Sequence, residues 1–144
     1  MTLQELYREG IRKLTENEVP EAELNAWYLF QSCLSEEPFS YTRSRFFLEQ
    51  NEQAEPQTAN TYLEKISRRC QRIPLEYILG YTEFMGLPFL VREGVLIPRQ
   101  DTEILVEMAV EVSGAKTVLD LCTGSGCIGL SIAVCGTPKS VTLS

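Results

Sequence analysis

The stretch Val118-Leu119-Asp120-Leu121-Cys122-Thr123-Gly124-Ser125-Gly126-Cys127-Ile128-Gly129 decides the fold. An apolar, β-favouring run reaches an acid, turns through glycines and continues as an apolar run of helical character. That order of strand, glycine turn and helix is how a parallel α/β sheet starts. Thr117 to Leu121 reads as a short buried strand, Gly126 to about Cys135 as a helix, and Gly136 to Pro138 as a turn. Ser140 to Ser144 begins a second strand, and the sequence given stops there.

Gly124, Gly126 and Gly129 fit the spacing G-x-G-x-x-G. Glycine allows positive φ and close backbone approach to a ligand. The free N–H groups at the start of the following helix favour an anionic group. Two cofactor classes suit such a turn. A dinucleotide would set its pyrophosphate on the helix end. S-adenosylmethionine would lay its amino-acid moiety along the turn. Asp120 separates them, because a carboxylate at the strand end suits a ligand bearing ammonium and sulfonium charge and opposes a pyrophosphate. S-adenosylmethionine is therefore preferred, over a nicotinamide dinucleotide and over a glycine turn that holds nothing. A ribose-binding acid is expected about 20 residues after the loop. Between Cys127 and Ser144 there is no Asp or Glu.

Working outward, residues 1 to about 72 read as helices. Thr2 and Glu5 form a capping-box pattern, and Leu3, Leu6, Tyr7, Ile11 and Leu14 follow at helical spacing. A second helix is expected from Pro20, carrying Leu24, Trp27, Tyr28 and Leu34, with Pro38 ending the segment. A shorter element holds Tyr41, Phe46, Phe47 and Leu48. After a loop from Glu49 to Pro56, a long helix places Tyr62, Leu63, Ile66 and Cys70 on one side. Core packing of a small bundle is the preferred reading of Trp27 and these aromatics. From Pro74 the pattern changes. Leu75 to Leu79 is a short apolar segment closed by Gly80, and Tyr81–Met85 with Pro88–Val91 read as two strands joined near Gly86-Leu87. A helix starts in Ile97-Pro98-Arg99-Gln100-Asp101-Thr102-Glu103, capped by Asp101 or Thr102, with Ile104, Leu105, Met108, Val112 and their neighbours as its apolar face and Ser113-Gly114 as its stop.

Composition narrows the classes. The 144 residues carry 20 acidic and 13 basic side chains, a net charge of −7, which is a poor basis for nucleic-acid binding. The basic clusters Arg43/Arg45 and Lys65/Arg68/Arg69/Arg72 read as solvated helix faces. There is no histidine, so histidine general-base catalysis is excluded within these residues. Five cysteines without a Cys-x-x-Cys argue against both a disulfide framework and a zinc site, so no metal is expected. Lacking a signal-peptide pattern and any apolar run of membrane-spanning length, the sequence reads as soluble, reduced and cytoplasmic.

Asp120-Leu121-Cys122-Thr123-Gly124-Ser125-Gly126 resembles the first cofactor motif of class I S-adenosylmethionine methyltransferases. Three upstream segments narrow the resemblance: Arg72-Ile73-Pro74-Leu75-Glu76-Tyr77-Ile78-Leu79-Gly80, Glu83-Phe84-Met85-Gly86-Leu87, and Ile97-Pro98-Arg99-Gln100-Asp101-Thr102-Glu103. Together they are similar to the HemK/PrmC protein-(glutamine-N5) methyltransferases, which modify the glutamine of the Gly-Gly-Gln motif in peptide-chain release factors.

The resemblance implies an α/β chain. It would have a small N-terminal helical bundle for substrate recognition (1–72), a linker with a β-hairpin (73–97) and the truncated start of a class I, Rossmann-like methyltransferase domain (98–144). It implies S-adenosyl-L-methionine as cofactor and a release factor as protein substrate, with no membrane and no direct nucleic-acid partner. Cys122, Thr123, Gly124, Ser125 and Gly126 would line the methionine part of the cofactor, with Asp120 beside it. Arg99 and Thr102 would lie over the pocket, with an Arg99–Glu103 ion pair at the helix start as an equal alternative. Leu96 falls where relatives carry an aromatic wall. Cys122 stands where many methyltransferases have glycine, which is tolerable at negative φ. The family's Asn-Pro-Pro-Tyr motif, which grips the target amide, is absent, so no catalytic residue is assigned. These 144 residues are expected to be inactive alone, as a fragment of a longer enzyme, and the truncated sheet, with the edge of strand Val118–Leu121 unpaired, is expected to invite self-association. Other class I methyltransferases acting on nucleic acid, and a non-enzymatic helical partner-binding fragment, remain as alternatives.

Overall fold

A computed structural model describes residues 1–35, 37 and 40–144. The chain divides into two compact units, Met1–Leu79 and Gly80–Ser144.

The first unit is helical: α1 (Leu3–Glu16), α2 (Ala22–Leu34), α3 (Arg43–Glu49), α4 (Pro56–Cys70) and the single turn α5 (Leu75–Leu79). The Thr2/Glu5 capping box forms reciprocally: Glu5 N–H donates to Thr2 Oγ1 at 3.2 Å, and Thr2 N–H to Glu5 Oε2 at 2.8 Å. The N-terminal strap then closes on the loop before α4, with Leu3 N–H on Glu52 O and Ala54 N–H on Met1 O, both at 3.0 Å. Leu3, Leu6, Tyr7 and Leu14 of α1 meet Trp27 and Phe30 of α2 and Tyr62 and Ile66 of α4 in one apolar cluster. Gly10 is the point of closest approach, since a Cβ there would overlap the Tyr62 ring. The buried Tyr62 hydroxyl donates towards Tyr7 O and Ala26 O, each at 3.4 Å, and burial pushes its pKa up.

Several expectations for this unit change. The second helix starts at Ala22, after a left-handed Glu21 (φ 51°), and not at Pro20. It ends at Leu34; the expected stop at Pro38 lies outside the described residues. Phe47 and Leu48 are 72% and 80% exposed, because the short α3 turns only Phe46 inward among its apolar side chains. Four residues of the basic clusters, Arg43, Arg45, Arg68 and Arg72, are exposed as a solvated face requires, but several members also tie the fold together. Arg43 stacks on the Trp27 ring at 3.8 Å and donates to the Tyr7 hydroxyl at 3.0 Å. Arg69 bonds Asn25 Oδ1 at 2.7 Å, and Arg72 reaches Glu18 O and Asn17 O, both at 3.0 Å, fastening the end of α1.

The second unit holds β1 (Tyr81–Phe84), β2 (Leu87–Leu90), α6 (Asp101–Val112), β3 (Thr117–Asp120), α7 (Cys127–Cys135) and β4 (Ser140–Leu143). β1 and β2 form an antiparallel hairpin with Phe84 opposite Leu87. Its turn is Met85-Gly86, both at positive φ (53° and 71°), the type I′ signature that matches strand twist. β3 and β4 pair in parallel, Thr117 with Ser140 through Asp120 with Leu143. β4 thus takes one edge of β3, and no strand pairs with the other edge among the described residues. The strand is half-buried, not buried: Val118 and Asp120 face inward while Thr117 and Leu119 are exposed.

Phe84, Phe89, Val106, Cys127 and Ile132 form this unit's core. The four residues named for the apolar face of α6 therefore do not form its packed face, which falls to their neighbours. Ile104, Leu105, Met108 and Val112 are all more than half exposed, and Val106 with Ala109 and Val110 supplies the packing. A helix that is apolar on two sides has no unique inward face by periodicity, and packing against the hairpin and α7 chose between them. Neither expected side-chain cap forms, since Gln100 occupies the N-cap position without a side-chain bond. Glu103 Oε1 instead accepts from Met85 N–H at 2.6 Å, which ties the hairpin turn to the start of α6.

Candidate functional site

The glycine turn links β3 to α7 and is held by Asp120. This residue is buried, and its Oδ2 accepts from Gly129 N–H at 2.9 Å and from Thr123 Oγ1 at 2.8 Å. Gly129 lies in the first turn of α7, so the Asp120 carboxylate serves as a capping anion for a helix whose own N-cap residue, Gly126, has no side chain to do so. Oδ1 accepts no bond from a described residue, yet it is not among the side-chain atoms sealed from solvent without a partner. Gly126 adopts φ 82°, which permits the turn into α7. Gly129 sits closely packed: a Cβ there would displace the end of the Leu143 side chain and lie 3.0 Å from Asp120 Oδ2. The end of β4 fastens the same turn: Thr123 N–H donates to Ser144 O at 2.9 Å and Ser144 N–H to Asp120 O at 3.0 Å.

Cys122 has φ 58°, in the left-handed region, so the condition of negative φ under which a cysteine would sit there without strain is not met. Its side chain is exposed.

Gly124 and Ser125 form one wall of a cavity of about 340 Å³, with Leu90, Val91, Arg92 and Val95 opposite. The backbone N–H groups of Gly124 and Ser125 donate to no acceptor among the described residues. Arg99 and Thr102 are not among that cavity's lining residues. They converge on Asp101, Arg99 Nη2 at 2.6 Å from Oδ2 and Thr102 Oγ1 at 3.4 Å from Oδ1. The helix-start ion pair is therefore Arg99–Asp101 and not Arg99–Glu103. Both side chains are largely exposed, so the pair contributes little. Leu96 is exposed as well. Sequence reasoning missed Leu90, Val91, Arg92 and Val95 as cavity residues, because they come from the end of the hairpin, roughly 30 residues before the turn they face. The only available signal was the basic side chain of Arg92 directly after an apolar strand.

A helical unit followed by an α/β unit, whose first parallel strand ends in an acid-held glycine turn, defines the class: a class I methyltransferase-like start behind a helical domain. Residues 5–80 match the family described as the PrmC N-terminal domain, and the chain belongs to that family. It is 39% identical over 137 residues to a release factor glutamine methyltransferase of Moorella thermoacetica, covering 92% of this chain and 46% of that protein. It is 48% identical over 96 residues to the release factor glutamine methyltransferase of Clostridium acetobutylicum, covering 63% of this chain and 34% of that one. A protein of the same name from Geobacter sulfurreducens is 52% identical over 69 residues, covering 47% of this chain and 24% of that protein. The chain spans about half the length, or less, of the curated relatives it matches.

Proposed function

We propose that these residues are the substrate-recognition domain (1–72), hairpin linker (73–97) and first cofactor motif (98–144) of an enzyme that uses S-adenosyl-L-methionine to methylate N5 of the glutamine in the Gly-Gly-Gln motif of peptide-chain release factors. The observation that carries the cofactor class is the engagement of Asp120 with Gly129 N–H. The carboxylate already occupies the N-terminal turn of α7, where a dinucleotide would place its pyrophosphate, and a second anion there would be repelled. The turn instead offers the unpaired amides of Gly124 and Ser125, with the Oδ1 of the buried Asp120, which accepts no bond from a described residue, for an ammonium. Those features fit the amino-acid end of S-adenosylmethionine, with Cys122, Thr123 and Gly126 shaping the turn beneath it. When bound, that cofactor supplies an electrophilic methyl group on a sulfonium. Arg99 and Thr102, which both contact Asp101, belong to this proposal as residues lying over the cofactor pocket.

An amide nitrogen is a weak nucleophile because its lone pair is delocalised, so transfer needs hydrogen bonds that hold it in line with the methyl group. The chain contains no Asn-Pro-Pro-Tyr to provide them, and these residues alone are inactive on this reading. Amide NMR with S-adenosylhomocysteine and with NAD tests the cofactor class. Gly124 and Ser125 shift with the first and not with the second. The opposite result replaces this proposal with a dinucleotide-binding one. Capture of a release factor by the purified chain tests the role of residues 1–72, and its failure would leave the helical domain without the proposed partner.

A further inference from the structure

The cavity above the glycine turn has one charged side chain, and the turn gives that charge a purpose. Arg92 lines the cavity together with Gly124 and Ser125. Its guanidinium makes no hydrogen bond or ion pair with any described residue, whereas Arg99, also in the second unit, is paired with Asp101. The local backbone holds Arg92 in place: Val91 N–H donates to Gly80 O at 3.0 Å, and Val95 N–H closes a turn on Arg92 O at 2.9 Å. Leu90 is exposed beside it and Val91 is buried, so the segment is anchored next to an exposed Arg92. Asp120, for its part, has taken over the N-terminal turn of α7. A ligand anion on this turn therefore has to be met by something other than the helix end.

We propose that Arg92 is a specificity-determining residue that binds the α-carboxylate of the ligand lying on the glycine turn, so that the cavity selects ligands with a complete amino-acid end. The inference rests on the cofactor reading given above. The positive fork pairs with the carboxylate, and the amides of Gly124 and Ser125 complete the polar wall. Nothing in the sequence motif signals this partnership, since Arg92 lies outside both the glycine turn and the Arg99–Thr102 segment.

The test uses amide NMR titrations of the 144-residue chain with two ligands. S-adenosylhomocysteine carries the whole amino-acid end; S-adenosylthiopropylamine keeps the ammonium and lacks only the carboxylate. The unaltered chain should prefer the first by about tenfold, as expected for a charge-assisted pair at a partly open site. Arg92→Gln should abolish most of that preference while leaving the affinity for the carboxylate-free ligand unchanged, and Arg92→Lys should restore part of it. Arg68→Gln, a charge change on α4 in the first unit, should leave both affinities as they were. Spectra that overlay outside the cavity establish that each variant is folded. Equal preference in the unaltered chain and in Arg92→Gln overturns the role of Arg92 but keeps the cofactor reading. Loop amides that respond to neither ligand overturn both.

Discussion

Asp120 shows how much one residue does here. It ends β3, and through one carboxylate oxygen it caps α7 and fixes Thr123. Asp120→Ala leaves Gly129 N–H and the Thr123 hydroxyl without that acceptor, and should destabilise the second unit by about 1–3 kcal/mol. Hydrogen exchange at Gly129, read alongside chemical denaturation, checks this; unaltered protection at that amide would contradict it. The neighbouring Cys122 presents the reverse case. An L-residue at φ 58° is strained, so Cys122→Gly should stabilise the chain by about 0.5–1 kcal/mol, after allowance for the added freedom of glycine in the unfolded state. A lower midpoint in urea would refute that account. Sequence alone placed Asp120 at the strand end and Cys122 in the turn, but the sign of φ at Cys122 depends on how the chain leaves β3, which no local pattern encodes.

At the scale of elements, helix packing and capping decide the outcome. α1 and α4 approach closely at Gly10, where any side chain would meet the Tyr62 ring. Gly10→Ala should therefore cost about 1–3 kcal/mol through overpacking, despite the better helix propensity of alanine. Trp27, in the same cluster, reports the transition by its fluorescence. On α3, the hydrogen bond from Arg45 (2.8 Å), supported by that from Tyr41 (3.0 Å), holds the Glu49 carboxyl below its ordinary value of 4.5. A carboxyl depressed in the folded state adds stability above the unfolded value, and that increment disappears as pH falls through the folded value. Between pH 7 and pH 3 the unaltered chain should thus lose more stability than Glu49→Gln, the more so at low salt. Parallel pH profiles for the two would show that the contact contributes nothing. The amphipathic pattern of α1 was legible because its apolar residues occupy a single stripe. The pattern of α6 was not, because apolar residues cover two of its faces and only the hairpin and α7 select the one that Val106 occupies.

For the whole molecule, charge and division into units matter most. The first unit carries 9 basic and 13 acidic side chains and the second 4 and 7, so neither is electrostatically suited to a phosphate backbone. Several of the first unit's basic groups are also engaged within the fold, Arg43 on Trp27 and Arg69 on Asn25 among them. Fluorescence anisotropy with duplex DNA at moderate salt should show no saturable binding in the micromolar range, about where non-specific binders are found at their tightest. Saturable binding there would favour a nucleic-acid methyltransferase over a protein methyltransferase.

The sequence by itself determined the helical start, the hairpin, the glycine turn and the family, because each rests on short-range patterns: a capping box, a two-residue turn, glycines at fixed spacing between a strand and a helix. Only the tertiary structure decided that Asp120 spends its carboxylate on α7, that Arg99 meets Asp101 and not Glu103, and that Arg92 from the hairpin's end shares a cavity with Gly124 and Ser125. Those outcomes depend on groups brought together across turns and between strands, where several partners lie within reach and packing, not spacing along the chain, determines which of them meet.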